Sequence, residues 1–102
     1  MAEFVKVAKI SDIPKETGML VRAKGRRIAL FRRGDQVHAI DAVCYHMGGP
    51  LNEGGLEGDH VTCPWHGWEF NVVTGEASFD KSIRQRVFEV KLEGDEVYVS
   101  LE

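Results

Sequence analysis

Cys44-Tyr45-His46-Met47-Gly48-Gly49-Pro50 and Cys63-Pro64-Trp65-His66-Gly67-Trp68 are two short segments of similar design. Each supplies one thiol and one imidazole, spaced C-x-H in the first and C-x-x-H in the second, with sixteen residues between His46 and Cys63. The chain holds two cysteines in 102 residues, and both are here. Two sulfurs and two nitrogens on two glycine-containing loops form a metal-ligand set rather than a disulfide framework. Zinc modules also use two cysteines and two histidines, but they usually segregate the types, C-x₂₋₄-C followed by H-x₃₋₅-H. Here each loop mixes one of each. A zinc-stabilised interaction module therefore stays as the remote alternative.

Outward from the loops, the chain reads as strands and turns. Residues 3–10, 17–23, 26–33 and 36–42 are expected strands. Arg26–Arg33 carries Ile28, Ala29, Leu30 and Phe31 in succession, so it is apolar on both faces and expected to be central. Lys24-Gly25 and Gly34-Asp35 supply turns between these runs. Residues 48–59 read as loop with one short helical turn, pinned by Leu51 and Leu56. His60-Val61-Thr62 reads as a strand entering the second ligand loop, and Trp68-Glu69-Phe70 leaves it. Residues 77–85 read as an exposed connection. A last hairpin is expected over 87–92 and 96–101 around Glu93-Gly94-Asp95, with Phe88, Val90, Leu92, Val97, Val99 and Leu101 facing the core. No segment carries a sustained helical stripe. The fold class is all-β, one domain over residues 1–102, with ligand loops at 43–51 and 62–70.

Composition narrows the function. Hydrophobic content of 43% is that of an ordinary globular chain, and eleven glycines suit a loop-rich β protein. A net charge of −3 gives no reason to expect nucleic acid or an anionic membrane. The opening residues alternate instead of running apolar, so neither a signal peptide nor a membrane span is expected. The cytoplasm is the expected compartment, where paired cysteines more often serve a metal than a disulfide.

The two loops resemble those of the Rieske [2Fe–2S] family, in which two thiolates hold one iron and two histidines the other. The resemblance extends to the glycines downstream of each histidine, Pro50 and Leu51 closing the first loop, and Pro64 inside the second. It implies a stack of small antiparallel sheets with a two-loop cluster-binding subdomain. It also implies one [2Fe–2S] cluster per chain, ligated by Cys44, His46, Cys63 and His66. Gly48, Gly49 and Gly67 are expected to let backbone approach the sulfurs.

High-potential members of the family carry an extra cysteine in each loop, and those positions here are Gly49 and Trp65. They also carry a serine and a tyrosine that donate to the cluster sulfurs; those positions are Trp68 and Phe70. The chain therefore resembles the soluble, low-potential ferredoxins of bacterial aromatic-ring hydroxylating dioxygenases. That implies a one-electron carrier, not an enzyme in its own right, taking electrons from a flavin-dependent reductase and passing them to a terminal oxygenase. A monomer is expected, with no nucleic acid or membrane partner. A Rieske-like small subunit of a larger reductase, such as nitrite reductase, is the nearer alternative.

Other residues carry blander expectations. His38 and His60 are expected to be exposed and without a role. Trp68 is expected to shield the cluster, while Trp65 and Met47 fit either packing or partner contact. Lys24, Arg26, Arg27, Arg32 and Arg33 read as one basic cluster on a hairpin. Glu53, Glu57 and Asp59 read as acidic groups nearer the ligand loops.

Overall fold

The computed structural model describes residues 4–15, 17–43, 49–65 and 67–101. Its strands in chain order are β1 (Phe4–Lys9), β2 (Met19–Ala23), β3 (Arg26–Arg33), β4 (Gln36–Asp41), β5 (Gly55–Glu57) and β6 (His60–Thr62). They continue with β7 (Glu69–Asn71), β8 (Glu76–Ala77), β9 (Asp80–Arg84), β10 (Val87–Phe88), β11 (Val90–Glu93) and β12 (Glu96–Ser100). Single 3₁₀ turns span Ile10–Asp12 and Leu51–Glu53, and no α-helix occurs among the described residues. The strands form three antiparallel sheets, ordered β1-β12-β11, β10-β4-β3-β2 and β5-β6-β7-β8-β9.

The four-stranded sheet lies in the middle because β3 is apolar on both faces. Successive side chains of a strand point to opposite faces. Ala29 and Phe31 join one buried cluster with Leu51, Val61, Cys63 and Phe70 of the five-stranded side. Ile28 and Leu30 join the other, with Val97 and Val99 of β12. All four β3 side chains are wholly buried. At about 1.5–3 kcal/mol for each large apolar side chain removed from water, this strand anchors both cores.

Three hairpins share one turn. Gly34-Asp35 joins β3 to β4, Gly58-Asp59 joins β5 to β6, and Gly94-Asp95 joins β11 to β12. The glycines have φ of 59°, 60° and 59°, the positive angle a II′ turn needs at its first central residue. The first and third fall where the sequence places turns. The second corrects the reading of 48–59 as loop: its Gly-Asp pair joins two three-residue strands, too short to show an alternation. The 3₁₀ turn at Leu51–Glu53 matches the short helical turn expected there.

Residues 77–85 also differ from expectation, since β8 and β9 pair antiparallel. β9 reads Asp-Lys-Ser-Ile-Arg and only Ile83 is partly buried. It is the charged outer edge of the sheet, where solvation hides the period-2 signal. The expected strand over 87–92 divides at Glu89. Val87 and Phe88 pair with Ile40 and Ala39 of β4, while Val90–Glu93 pairs with β12. Leu92 consequently leaves the core and is 38% exposed. The basic residues do not form one cluster. Lys24, Arg26 and Arg27 flank the β2–β3 turn, and Arg32 and Arg33 lie at the other end of β3, roughly 20 Å away at the rise of a strand. Arg32 donates to the carbonyls of Gly34 and Ile10, and Arg33 pairs with Asp59.

His38 corrects another expectation. It lies on β4 opposite Phe31, half-buried, and its Nε2 is buried without a hydrogen-bond partner among the described residues. Burial lowers its pKa, the Arg33 charge lowers it further, and Asp59 acts in the opposite direction. As pH falls, the unfolded imidazole therefore takes up its proton before the folded one does. Stability is predicted to drop as pH falls below about 6.5, the ordinary histidine value, and to level off below the depressed folded pKa. Urea unfolding of wild type and His38→Leu across pH 4–8 checks this. The difference between the two should change with pH only in that window.

Candidate metal centre

Both ligand loops leave the ends of paired strands, and backbone contacts close each at its base. In the first, Val43 donates its N–H to Asp41 Oδ1 at 2.9 Å, an Asx turn that redirects the chain at the end of β4. Val43 and Pro50 face each other as an antiparallel bridge, and Leu51 N–H donates to the Ala42 carbonyl at 2.9 Å. Leu51 is wholly buried in the same cluster as Cys63, so an apolar side chain anchors the returning stem. In the second loop, Cys63 N–H donates to the Trp68 carbonyl at 2.7 Å. The chain thus turns out and back between β6 and β7, which are themselves paired.

Of the four expected ligands, Cys63 is described; Cys44, His46 and His66 lie outside the described residues, as do Met47 and Gly48. Cys63 is 1% exposed. A buried thiol in apolar surroundings resists ionisation, whereas a metal ion beside it stabilises the thiolate. Gly49 supplies the link to the other loop. A β-carbon at that position would lie 2.8 Å from Cys63 Sγ and 3.0 Å from Trp65 Cγ. The two loops therefore meet at the sulfur, and only a residue without a side chain fits between. This is the close approach expected of Gly49. Gly67 has a separate requirement, a φ of 73°. Thiol, close backbone and converging loops suit a cluster held by both loops.

The same contact brings together Gly49 and Trp65, the two positions that the Rieske resemblance marks as extra cysteines in high-potential members. A Gly49 β-carbon would lie 3.1 Å from Trp65 Cβ, near the separation a disulfide spans. Trp65 itself is 51% exposed. Trp68 is half-buried against the cluster that contains Cys63, its ring centroid 6.3 Å from that of Phe70. Phe70 is wholly buried in the same cluster.

Two residues here had no reading in the sequence. Phe79, in the β8–β9 turn, packs edge-on against Trp68 with centroids 4.7 Å apart, yet is 57% exposed. Gln85, directly after β9, is 4% exposed and donates from Nε2 to the Asp41 carbonyl at 3.0 Å and to the Val43 carbonyl. No periodicity marks either, because Phe79 lies in the turn of the charged edge hairpin and Gln85 just past its end. The acidic residues also redistribute. Glu57 and Asp59 lie at the hairpin tip remote from Cys63, with Asp59 paired to Arg33. Glu69, beside Trp68, accepts from the hydroxyls of Thr62 (3.4 Å) and Ser78 (3.2 Å).

Gly49→Ala is predicted to displace either Cys63 Sγ or the Trp65 ring, since overpacking a filled site typically costs about 1–3 kcal/mol. The expected result is reduced iron content and an altered visible spectrum. An unchanged spectrum at full iron loading would show that the loops separate without penalty.

Comparison with known proteins agrees with this geometry. The family model described as the Rieske [2Fe-2S] domain matches residues 3–99. Ferredoxin CarAc of Metapseudomonas resinovorans is 41% identical over 99 residues, covering 95% of this chain and 92% of the relative. A solved complex of reduced oxygenase and oxidized ferredoxin in carbazole 1,9a-dioxygenase contains a chain 40% identical, with a TM-score of 0.86 over 97% of this chain and 94% of that one. The ferredoxin of carbazole 1,9a-dioxygenase from Nocardioides aromaticivorans IC177 superposes with a TM-score of 0.89 at 25% identity, covering 97% and 98% of the two chains. The chain belongs to the Rieske [2Fe-2S] domain family and is an electron carrier with that cofactor rather than a catalyst.

Proposed function

We propose that Cys44, His46, Cys63 and His66 hold one cluster per chain, and that residues 1–102 form a single domain around ligand loops at 43–51 and 62–70. In this reading the protein is a cytoplasmic monomer that accepts one electron at a time from a flavin-dependent reductase and delivers it to a terminal oxygenase. The observation that carries the ligand assignment is Gly49 lying against Cys63 Sγ, which brings the C-x-H loop to the thiol of the C-x-x-H loop. The partner assignment draws on the ferredoxin relatives, one of them solved with an oxygenase. No helix of the described residues is long and apolar enough to cross a membrane, which is compatible with the cytoplasm.

When bound, the cluster supplies a site that changes charge by one electron. The protein's residues determine how little else moves. Cys63 is fixed by its backbone bond to Trp68 and by burial in the core. Trp68 packs against the core that holds Cys63, with Phe79 edge-on to it, and the exposed face of Trp65 offers apolar contact to a docking partner. Neither Trp68 nor Phe70 can donate a hydroxyl hydrogen bond to a cluster sulfur. Such a bond stabilises the more negative, reduced form, so its absence places the potential near the low end of the Rieske range, about −150 mV.

Purified protein is expected to carry about two irons and two acid-labile sulfides per chain, and Cys63→Ser to lose both and to unfold at lower temperature. Stoichiometric zinc without sulfide would overturn the assignment. With a flavin reductase and an aromatic-ring hydroxylating oxygenase, wild type should support turnover and Cys63→Ser should not.

Phe70→Tyr should raise the potential measured by redox titration, because a hydrogen bond to a charged group contributes about 1.5–3 kcal/mol. A wild-type potential at the top of the family range would remove the missing hydroxyls as its cause.

A further inference from the structure

The first ligand loop starts at the Val43–Cys44 peptide bond. The carbonyl of that bond and the amide of Cys44 share one rigid plane, so whatever fixes the carbonyl also fixes the amide. In this structure the carbonyl of Val43 accepts from Gln85 Nε2, and the same amide group donates to the Asp41 carbonyl at 3.0 Å. One side-chain NH₂ thus holds two backbone carbonyls two residues apart, at the root of the loop.

Gln85 is itself held from the turn that follows β7, the strand leaving the second loop. Its backbone N–H donates to the Gly75 carbonyl at 2.6 Å, and Gly75 N–H donates to the Asn71 carbonyl at 2.7 Å. Gly75 has a φ of 82°, and a β-carbon there would overlap the Gln85 carbonyl oxygen. Asn71 caps the intervening turn through Oδ1, which accepts from Val73 (2.7 Å) and Thr74 (3.2 Å). It is the last residue of β7, the strand that leaves the second ligand loop. Next to Gln85, Arg86 accepts at its carbonyl from Asp41 N–H at 2.9 Å. An unbroken series of hydrogen bonds therefore runs from β7 through Gly75 and Gln85 to Val43.

We propose that Gln85 is a positioning residue that holds the first ligand loop in register with the second and thereby sets the electronic properties of the cluster. This rests on the reading of Cys44 as a ligand. Among the described residues the side chain acts at the root of the loop, through the Asp41 and Val43 carbonyls. A buried amide suits the task because its two N–H groups satisfy two carbonyls at once, and removing it leaves both without that donor.

The test uses Gln85→Met, which keeps length and volume but has no donor, in cluster-loaded protein. Amides in residues 41–50 should exchange with deuterium about tenfold faster, the effect of losing one or two hydrogen bonds, with β11 and β12 unchanged. The reduction potential and the EPR g values should shift together. Gln85→Asn, which keeps the amide but reaches one carbonyl, should fall between, and it carries the test if the methionine variant takes up no cluster. Val97→Ala, a cavity in the other core, should lower stability without moving the potential or the g values. Wild-type exchange and potential in Gln85→Met, or an equal potential shift in Val97→Ala, would overturn the proposal. A wild-type protein lacking a [2Fe–2S] EPR signal would instead sink the ligand assignment, while the exchange measurement would still decide whether Gln85 clamps the loop.

Discussion

Strand β3 is buried on both faces, and the rest of the molecule is arranged to meet that constraint. A strand with no solvent face must have packed layers on both sides, because an apolar side left in water forfeits its transfer free energy. Ile28 and Leu30 therefore call for the β1-β12-β11 sheet, and Ala29 and Phe31 for the five-stranded sheet with the stems of the ligand loops. The metal-binding end is not an appendage to the core. Cys63, Leu51 and Phe70 are members of it.

This placement bears on electron transfer. A carrier works best when its geometry is nearly the same in both oxidation states, and a loop standing free of the core would not be restrained. Here each loop is closed at its base by backbone hydrogen bonds and anchored by buried side chains: Leu51 on the returning stem of the first, Cys63 and Phe70 on the stems of the second. The partly exposed aromatic residues Trp65, Trp68 and Phe79 lie outside those anchors. In the proposed reading, rigidity rests on the buried anchors and partner contact on the exposed Trp65, so one can change without the other.

The polar contacts that organise the site are mostly between side chains and backbone. Asp41, Asn71 and Gln85 each satisfy backbone groups at chain reversals where no strand partner is available. Buried or half-buried backbone without a partner is costly, so these side chains substitute for sheet hydrogen bonds at the points where the sheets end. The surface ion pairs, such as Lys6 with Glu96 at 2.6 Å, have exposed partners and contribute little by comparison.

The sequence by itself determined what depends on local pattern and on chemical identity. The alternating runs and Gly-Asp pairs gave most of the larger strands, because a period-2 pattern and a positive-φ turn are written in adjacent residues. The two C/H loops pointed to a Rieske centre because that ligand order is rare outside it. Tertiary structure alone decided what depends on which segments meet. β5, β8 and β9 exist because neighbouring strands accept their backbone bonds; their own residues are too few or too charged to announce them. Leu92 alternates correctly yet stays outside the core, since β10 and β11 pair with different sheets. Gly49 against Cys63 and Gln85 at the root of the first loop join residues 14 and 42 positions apart. No local pattern encodes such distances, because they are set by how the sheets stack around β3.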